Sequence, residues 1–120
     1  MIQRLALLAI VILYPITSYP NSNGDTQDGL GLKKQADAYD LVSAGDKNIY
    51  LNNAAIYHIG YISGAYDTLI NARLICRVGT ANKGQIVKVI NDYVRKNTDK
   101  LSMQASDILY LAFSSAFPCK

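Results

Sequence analysis

Two cysteines constrain the fold of this 120-residue chain more than any other feature of its sequence. Cys76 follows a long segment with helical periodicity, and Cys119 is the penultimate residue. In an oxidising compartment the two thiols are expected to form one disulfide, closing a loop of about 44 residues and stabilising the fold by about 4 kcal/mol. Such a bridge would tie the end of the second predicted helix to the chain terminus. It would also remove both thiols from the candidate catalytic groups.

Residues 1–22 have the pattern of a secretory signal peptide. Arg4 supplies the positive charge, Leu5–Leu13 is an unbroken apolar run, and Ser18 or Ser22 precedes the expected cleavage site. The apolar run is shorter than the roughly 20 residues that a membrane-spanning helix needs. The sequence therefore predicts a cleaved signal, an exported mature protein and no stable insertion into the membrane.

The remaining residues have the size of one small domain. The polar, glycine-containing residues 23–31 are predicted to be a flexible lead-in, and residues 32–120 a single domain. The net charge is +3, or +2 once Arg4 is lost, which is too weak to indicate nucleic-acid binding. The nine tyrosines fit either contacts between helices or a half-apolar surface that binds a partner.

Apolar residues recur at helical spacing in four segments after the lead-in, which predicts an all-α domain of four helices. Glycine after the first segment, a capping residue before the last and proline at its end are typical helix boundaries. The expected boundaries are Leu32 to Ala44 before Gly45, Lys47 to Ile75, a start near Asn82 or Lys83, and a start after Ser102 with a stop at Pro118.

The second predicted helix carries two glycines four residues apart, Gly60 and Gly64, with Asp67 one turn further on. Each glycine costs a helix about 1 kcal/mol relative to alanine, so a gain elsewhere should offset the loss. The favoured interpretation is close packing of another helix, from the same chain or from a second copy. A groove of small residues for a ligand is the alternative.

An ordered set of residues extending over about residues 49–119 resembles the Tai/Rap group of immunity proteins, which act against type VI secretion amidase effectors. The pattern is Gly60-Tyr61-x-x-Gly64-x-x-Asp67, then Cys76, then Gln85-x-x-x-Val89-x-x-Tyr93, then a terminal helix closing in Pro118-Cys119. The resemblance implies a small all-α periplasmic protein, often a homodimer, with an intramolecular disulfide. It also implies that the protein binds a peptidoglycan-cleaving amidase and plugs its active-site groove. The chain departs from the group at residues 97–100, where members commonly have a proline.

If the chain occludes an enzyme, its contacts should come from protruding side chains that fill a groove. The two connectors around the third helix and the exposed end of that helix are the candidates. The predicted partner-binding residues are Arg77, Lys83, Tyr93, Arg95, Lys96, Asn97, Asp99 and Lys100.

The sequence offers no pattern typical of an enzyme, a metal site or a cofactor site. His58 is the only histidine and there is no Glu, so no metal site of usual composition is expected. Asp67 has no evident nucleophile or orienting partner, and His58 is expected to be packed or to lie at an interface. The alternative to an immunity protein is a small disulfide-bonded periplasmic chaperone or structural module without an effector.

Overall fold

A computed structural model describes residues 27–120, so the predicted signal peptide and its cleavage sites lie outside the described residues. This part of the chain contains no β-strand, and the prediction of an all-α domain with four helices is confirmed. A short 3-10 helix, Thr98–Lys100, precedes the last α-helix. The four α-helices are α1 (Gly29–Ser43), α2 (Ile49–Asn71), α3 (Lys83–Lys96) and α4 (Ala105–Ala116).

Helix α1 begins three residues earlier than predicted, within the segment expected to be a flexible lead-in. The side chain of Asp28 caps it by accepting a hydrogen bond from the amide of Gly31 at 2.8 Å. Gly29 is buried, and a Cβ atom there would lie 2.6 Å from the Cα of Leu101. Gly29 was included in the segment predicted to be flexible, but in the structure it lets the start of α1 approach the backbone at Leu101 closely.

Helices α1 and α2 both end in a Schellman motif. After α1, Gly45 has a φ of 103° and its amide donates to the carbonyl of Val42, as the glycine signal predicts. After α2, Arg73 takes the same place with a φ of 58°. The helix therefore ends at Asn71 rather than at the predicted Ile75, which instead packs into the core.

The starts of α3 and α4 are fixed in different ways. Helix α3 starts at Lys83, within the predicted range, and of the two capping candidates in the sequence, Thr80 and Asn82, it is Asn82 that caps it, in a capping box with Gln85. The prediction that Ser102 caps α4 is wrong, because that helix begins at Ala105 and Gln104 is its N-cap residue. The amide of Ala105 donates instead to the carbonyl of Gln27 at 2.7 Å, so a residue before α1 satisfies a backbone amide at the start of α4.

All four helices contribute to one hydrophobic core. Its aromatic centre is Phe113, whose ring contacts that of Tyr66 edge-on at 5.4 Å, and Phe117 lies beside both. None of the helices among residues 27–120 is long and apolar enough to cross a membrane. The large aliphatic side chains of the core are Leu32, Ile62, Ile75, Ile86, Val87, Ile90, Val94, Ile108 and Leu109.

The predicted disulfide between Cys76 and Cys119 is present, with the two Cα atoms 4.9 Å apart. The amide of Cys76 also donates to the carbonyl of Phe117 at 2.9 Å. The covalent bond therefore joins the segment after α2 to the tail after α4, and the buried side chains of Ile75 and Phe117 flank it. This bridge closes one end of the bundle.

Candidate functional site

Helix α2 exposes more large apolar side chains than any other helix among residues 27–120. Of the 23 residues in α2, Asp67 is the one with an acidic side chain, and none is Lys or Arg. Large apolar side chains along the helix are more than half exposed, with Tyr50 at 80%. The others in this group are Ile49, Ile56 and Tyr57. Such a concentration of exposed apolar side chains on one helix is typical of an interaction surface.

Gly60 and Gly64 lie on the exposed side of α2. Both are exposed, and a Cβ atom at either position would have no neighbouring heavy atom within 4 Å. The expectation that another helix of the same chain packs closely against them is therefore not met. The other half of that interpretation, contact with a second copy, and the ligand groove stay predictions. Asp67 is exposed one turn further on, and it makes no ion pair with any residue from 27 to 120.

The two glycines form one wall of a groove of about 480 Å³ between α2 and α4. None of the side chains that line the groove is charged, so it suits an apolar side chain better than an ion. The glycines of this groove could be selected from the sequence, but its residues on α4 could not. The groove forms only where α4 crosses α2, and the two helices are far apart in the sequence. The lining residues are Gly60, Tyr61, Gly64, Ala65, Thr68, Leu69, Ser106 and Leu109.

The tyrosines beside the groove are held in place by contacts within the chain. The rings of Tyr57 and Tyr61 are stacked, with centroids 6.2 Å apart and an interplanar angle of 6°. The hydroxyl of Tyr57 donates to Oε1 of Gln27 at 2.9 Å. Burial raises the pKa of Tyr61 above its ordinary value, and the neighbouring Tyr57 adds to the shift. Tyr57 therefore stands as a preorganised aromatic side chain at the edge of the groove.

The connectors predicted to bind a partner do not form one continuous surface. Arg77 and Lys83 precede or begin α3, whereas Asn97, Asp99 and Lys100 follow its far end. A helix of the length of α3 separates its two ends by about 20 Å, since each residue rises 1.5 Å. A partner must therefore extend along α3 to touch both groups at once.

Several of the predicted partner-binding side chains already have partners within the chain. Arg95 donates to carboxylate oxygens of Asp40 at 2.6 Å and of Asp37 at 3.4 Å, which ties α3 to α1. Lys100 lies 3.3 Å from the carboxylate of its neighbour Asp99. These contacts assign Arg95 a structural role that the sequence did not indicate.

Tyr93, Lys96 and Asn97 do lie together, at the end of α3 nearest the start of α4. They line a shallow depression of about 180 Å³ against the small side chains of Ala112 and Ser115 on α4. The side-chain amide of Asn97 donates to the carbonyl of Tyr93 at 2.9 Å, which fixes the local backbone. Of the predicted residues, these three form the most compact group.

His58 is fully buried at the junction of α1, α2 and α3, as a packed histidine would be. Its Nε2 lies 2.7 Å from Oδ1 of the buried Asn91, and its Nδ1 lies 3.3 Å from Oε1 of Gln35. Burial lowers the pKa of His58, so the ring is neutral at pH 7 and donates through one nitrogen only. Nε2–H donates to Asn91, and Nδ1 can accept from the amide group of Gln35 when that group turns by 180°.

This arrangement of His58 does not fit catalysis. A histidine that acts as a general base must reach the proton that it removes from a substrate, and His58 has no exposed surface. Among residues 27–120, no group of three or more His, Cys, Asp or Glu side chains is placed to hold a metal ion. No pattern in the sequence indicated that Asn91 and Gln35 pair with His58. The one available signal was the position of Asn91, a polar residue among the apolar residues of α3.

Comparison with known proteins identifies the family. The family model described as Rap1a immunity proteins matches residues 35–119, which include α2, α3, α4, both bridged cysteines and most of α1. No curated protein and no solved structure gives a significant match. Because the family match extends over nearly all of the described residues, the chain belongs to the family of Rap1a immunity proteins, whose function is immunity against a toxin effector.

Proposed function

We propose that this chain is a periplasmic immunity protein that binds a peptidoglycan amidase delivered by type VI secretion and occludes its active site. The observation that carries the proposal is the family match over residues 35–119. The match supports immunity against a toxin and a role through binding rather than catalysis. The amidase as target is inferred from the resemblance of the Gly60-to-Asp67 and Pro118-Cys119 patterns to the Tai/Rap group.

The periplasm is the compartment that best fits the chemistry of the chain. The signal-like residues 1–22 favour export, and the Cys76–Cys119 bridge needs an oxidising environment. Peptidoglycan is also found there, so an amidase that reaches the periplasm would meet its inhibitor where it does damage. A protein kept in the cytoplasm would meet neither the oxidising environment nor the toxin.

Occlusion requires a rigid scaffold with exposed anchors, because flexible contacts lose binding free energy when they become ordered. The disulfide restrains the end of the bundle that carries Arg77 and Lys83. Neither side chain has an ion-pair partner within residues 27–120, so both are available to steer an acidic enzyme surface. At the other end of α3, Tyr93 is half-buried against the core rather than fully exposed as expected, and the remaining part of its ring lies beside the exposed charge of Lys96.

The proposal predicts that a gene for an amidase lies next to the gene for this chain. Coexpression of the full chain with that amidase, both directed to the periplasm, tests the function. We expect cells that export this protein to survive the amidase and the two proteins to copurify. The matched control is the same chain without residues 1–22, which should accumulate in the cytoplasm and give no protection. Lysis in the presence of stable, exported, oxidised protein would contradict the proposal.

Charge-reversed variants test which end of α3 meets the enzyme. Arg77→Glu with Lys83→Glu should slow association with the amidase about tenfold or more at low salt if that end faces acidic groups. Lys96→Glu is the matched variant at the opposite end. If neither changes the association rate, the partner-binding residues lie elsewhere on the chain.

A further inference from the structure

We propose that the cleft between α1 and α3 is a binding site for a short peptide with free ends, a small ligand that carries one carboxylate and one ammonium group. The carboxylate of the ligand accepts hydrogen bonds from Asn91 and Arg95, and its ammonium group donates to Asp92. Neither the site nor its ligand class follows from inhibition of an effector.

The cleft has the size and the walls of a site for a small ligand. Its volume is about 320 Å³, at the lower end of the range for ligand pockets. One wall is a single face of α3, because its residues at positions 84, 88, 91 and 95 are three or four residues apart. Tyr39 and Asp40 of α1 form the opposite wall. The cleft shares no lining residue with the groove between α2 and α4.

An unpaired hydrogen-bond donor belongs to the most buried residue of this cleft, Asn91. The side chain is 3% exposed, and that exposed part lines the cleft. Nε2–H of the neutral His58 donates to Oδ1 of Asn91, which fixes the orientation of the amide group. The amide nitrogen, Nδ2, makes no hydrogen bond to any residue from 27 to 120. Because a buried donor without a partner is costly, this nitrogen indicates an acceptor oxygen of a molecule that enters the cleft.

The charged side chains around Asn91 retain unused hydrogen-bonding groups. Arg95 lies one turn further along α3 and uses Nη2 alone in its ion pairs with α1, so Nη1 and Nε have no partner within residues 27–120. Asp92 accepts from Lys88 through Oδ2 at 2.6 Å, which leaves its Oδ1 without a partner in the same part of the chain. The hydrogen bond from Lys88 also lowers the pKa of Asp92, so this carboxylate is charged at pH 7.

The balance of charge selects a ligand that carries both signs. The charged residues that line the cleft are two cations and two anions, namely Lys88, Arg95, Asp40 and Asp92. A ligand with a single charge therefore meets as much repulsion as attraction, whereas each end of a peptide with free ends meets a group of opposite sign. Asp92 and Arg95 are about 4.5 Å apart along the helix axis, and a dipeptide separates its terminal groups by about 7 Å. One small peptide is therefore long enough to contact both residues.

Titration of the oxidised mature chain with alanyl-alanine tests the proposal. The side-chain amide NMR signals of Asn91 should shift and reach saturation, with a dissociation constant below about 10 mM. The matched probes are N-acetyl-alanyl-alanine, which lacks the ammonium group, and alanyl-alaninamide, which lacks the carboxylate. Each should bind about tenfold more weakly or less. Absence of saturation at about 50 mM, or equal binding of the three probes, would overturn the proposal.

Gly84→Leu tests the location of the site. A Cβ atom at position 84 would meet only Asn82 Oδ1, at 3.4 Å, so the variant should fold while its side chain fills one end of the cleft. Binding of alanyl-alanine should weaken about tenfold or more. Ser115→Leu adds the same side chain on the exposed part of α4 and should bind as the wild type does. Normal binding by Gly84→Leu with an unchanged circular dichroism spectrum would contradict the assignment of the cleft.

Asp92→Asn tests the contact with the ammonium group. The variant keeps the shape of the side chain but not its charge, so it should bind alanyl-alanine about three- to fivefold more weakly. Its binding of N-acetyl-alanyl-alanine should not weaken. Asp99→Asn, which removes an exposed carboxylate outside the cleft, is the control and should change neither value. Equal weakening of both ligands in Asp92→Asn would overturn the assigned orientation.

The titrations and the survival experiment fail independently. None of the titrations involves an effector, so a chain that binds no peptide can still protect cells. Protection without peptide binding would overturn the cleft as a ligand site and leave the immunity function supported.

Discussion

Gly29 lies where the start of α1 meets the segment before α4. A methyl group there would lie 2.6 Å from both the Cα of Leu101 and Cδ1 of Ile108, so the backbone of one segment would have to move. We expect Gly29→Ala to lower the free energy of unfolding by about 1–3 kcal/mol, measured by urea denaturation. Gly31→Ala is the control, because its Cβ would meet only Asp28 Oδ1, at 3.5 Å. Equal stability of the two variants would show that the two segments separate easily.

His58 makes stability depend on pH in the range where it titrates. Because burial lowers its pKa in the folded state, the unfolded chain binds more protons once the pH falls below about 6.5. The free energy of unfolding should therefore decrease on acidification, by up to about 1.4 kcal/mol per pH unit, until the pH reaches the folded-state pKa. The neighbouring Arg95 adds to the lowering of that pKa, and the hydrogen bond to Asn91 and the charge of Asp40 oppose it.

Denaturation curves at pH 7.5 and pH 5.5 measure the effect of His58. His58→Gln is the matched variant, since its amide can still bond Asn91 but does not titrate. The variant is expected to lose less stability between the two pH values than the wild type loses. Because the chain has no other histidine, an equal loss in both proteins would mean that His58 is not responsible.

At the scale of elements, the ends of α1 and α2 share one backbone motif with different residues. Gly45 suits the left-handed conformation after α1, whereas Arg73 adopts it after α2 with a φ of 58°. For a residue with a Cβ, the left-handed conformation costs about 1 kcal/mol of free energy. Arg73→Gly should therefore raise the free energy of unfolding by somewhat less than that amount, because glycine also gains entropy in the unfolded chain.

The reverse change at the first motif is the control for Arg73→Gly. Gly45→Ala should lower the free energy of unfolding, since its φ of 103° is rarely adopted by residues with a Cβ. Thermal melts of both variants show whether each substitution raises or lowers the stability relative to the wild type. Stabilisation by Gly45→Ala or destabilisation by Arg73→Gly would mean that contacts outside the motif dominate at these positions.

Helix boundaries could be predicted from the sequence where a local signal sets them, and not where a distant contact does. Gly45 and the Asn82–Gln85 capping box are local signals, and both mark the boundaries they predict. The end of α2 is not readable, because the apolar residues after Arg73 continue the helical period although the chain has turned. The start of α4 depends on the carbonyl of Gln27, almost eighty residues away, and no local pattern reports such a contact.

Prediction of the candidate site from the sequence is limited in the same way, because it depends on contacts between residues far apart in the chain. Gly60 and Gly64 could be selected from the sequence because they weaken a helix, but what faces them depends on how α4 crosses α2. Likewise, Arg95 could be read as a free cation on α3, although α1 brings Asp40 within 2.6 Å of it. The residue types were informative, and the contacts that decide their roles are long-range.

At the scale of the whole molecule, the Cys76–Cys119 bridge closes the part of the chain that contains α3 and α4, with a sequence separation of 43. Loop entropy predicts that opening it lowers the free energy of unfolding by about 4 kcal/mol, much of the net stability of a domain this small. We expect Cys76→Ser with Cys119→Ser, and equally the reduced wild type, to melt at a much lower temperature than the oxidised protein. Ser102→Ala, an exposed substitution that leaves the bridge intact, is the control and should melt as the wild type does. Equal melting of the oxidised and reduced wild type would mean that the hydrogen bond from Cys76 to Phe117 and the core beneath it suffice to hold the chain terminus in place.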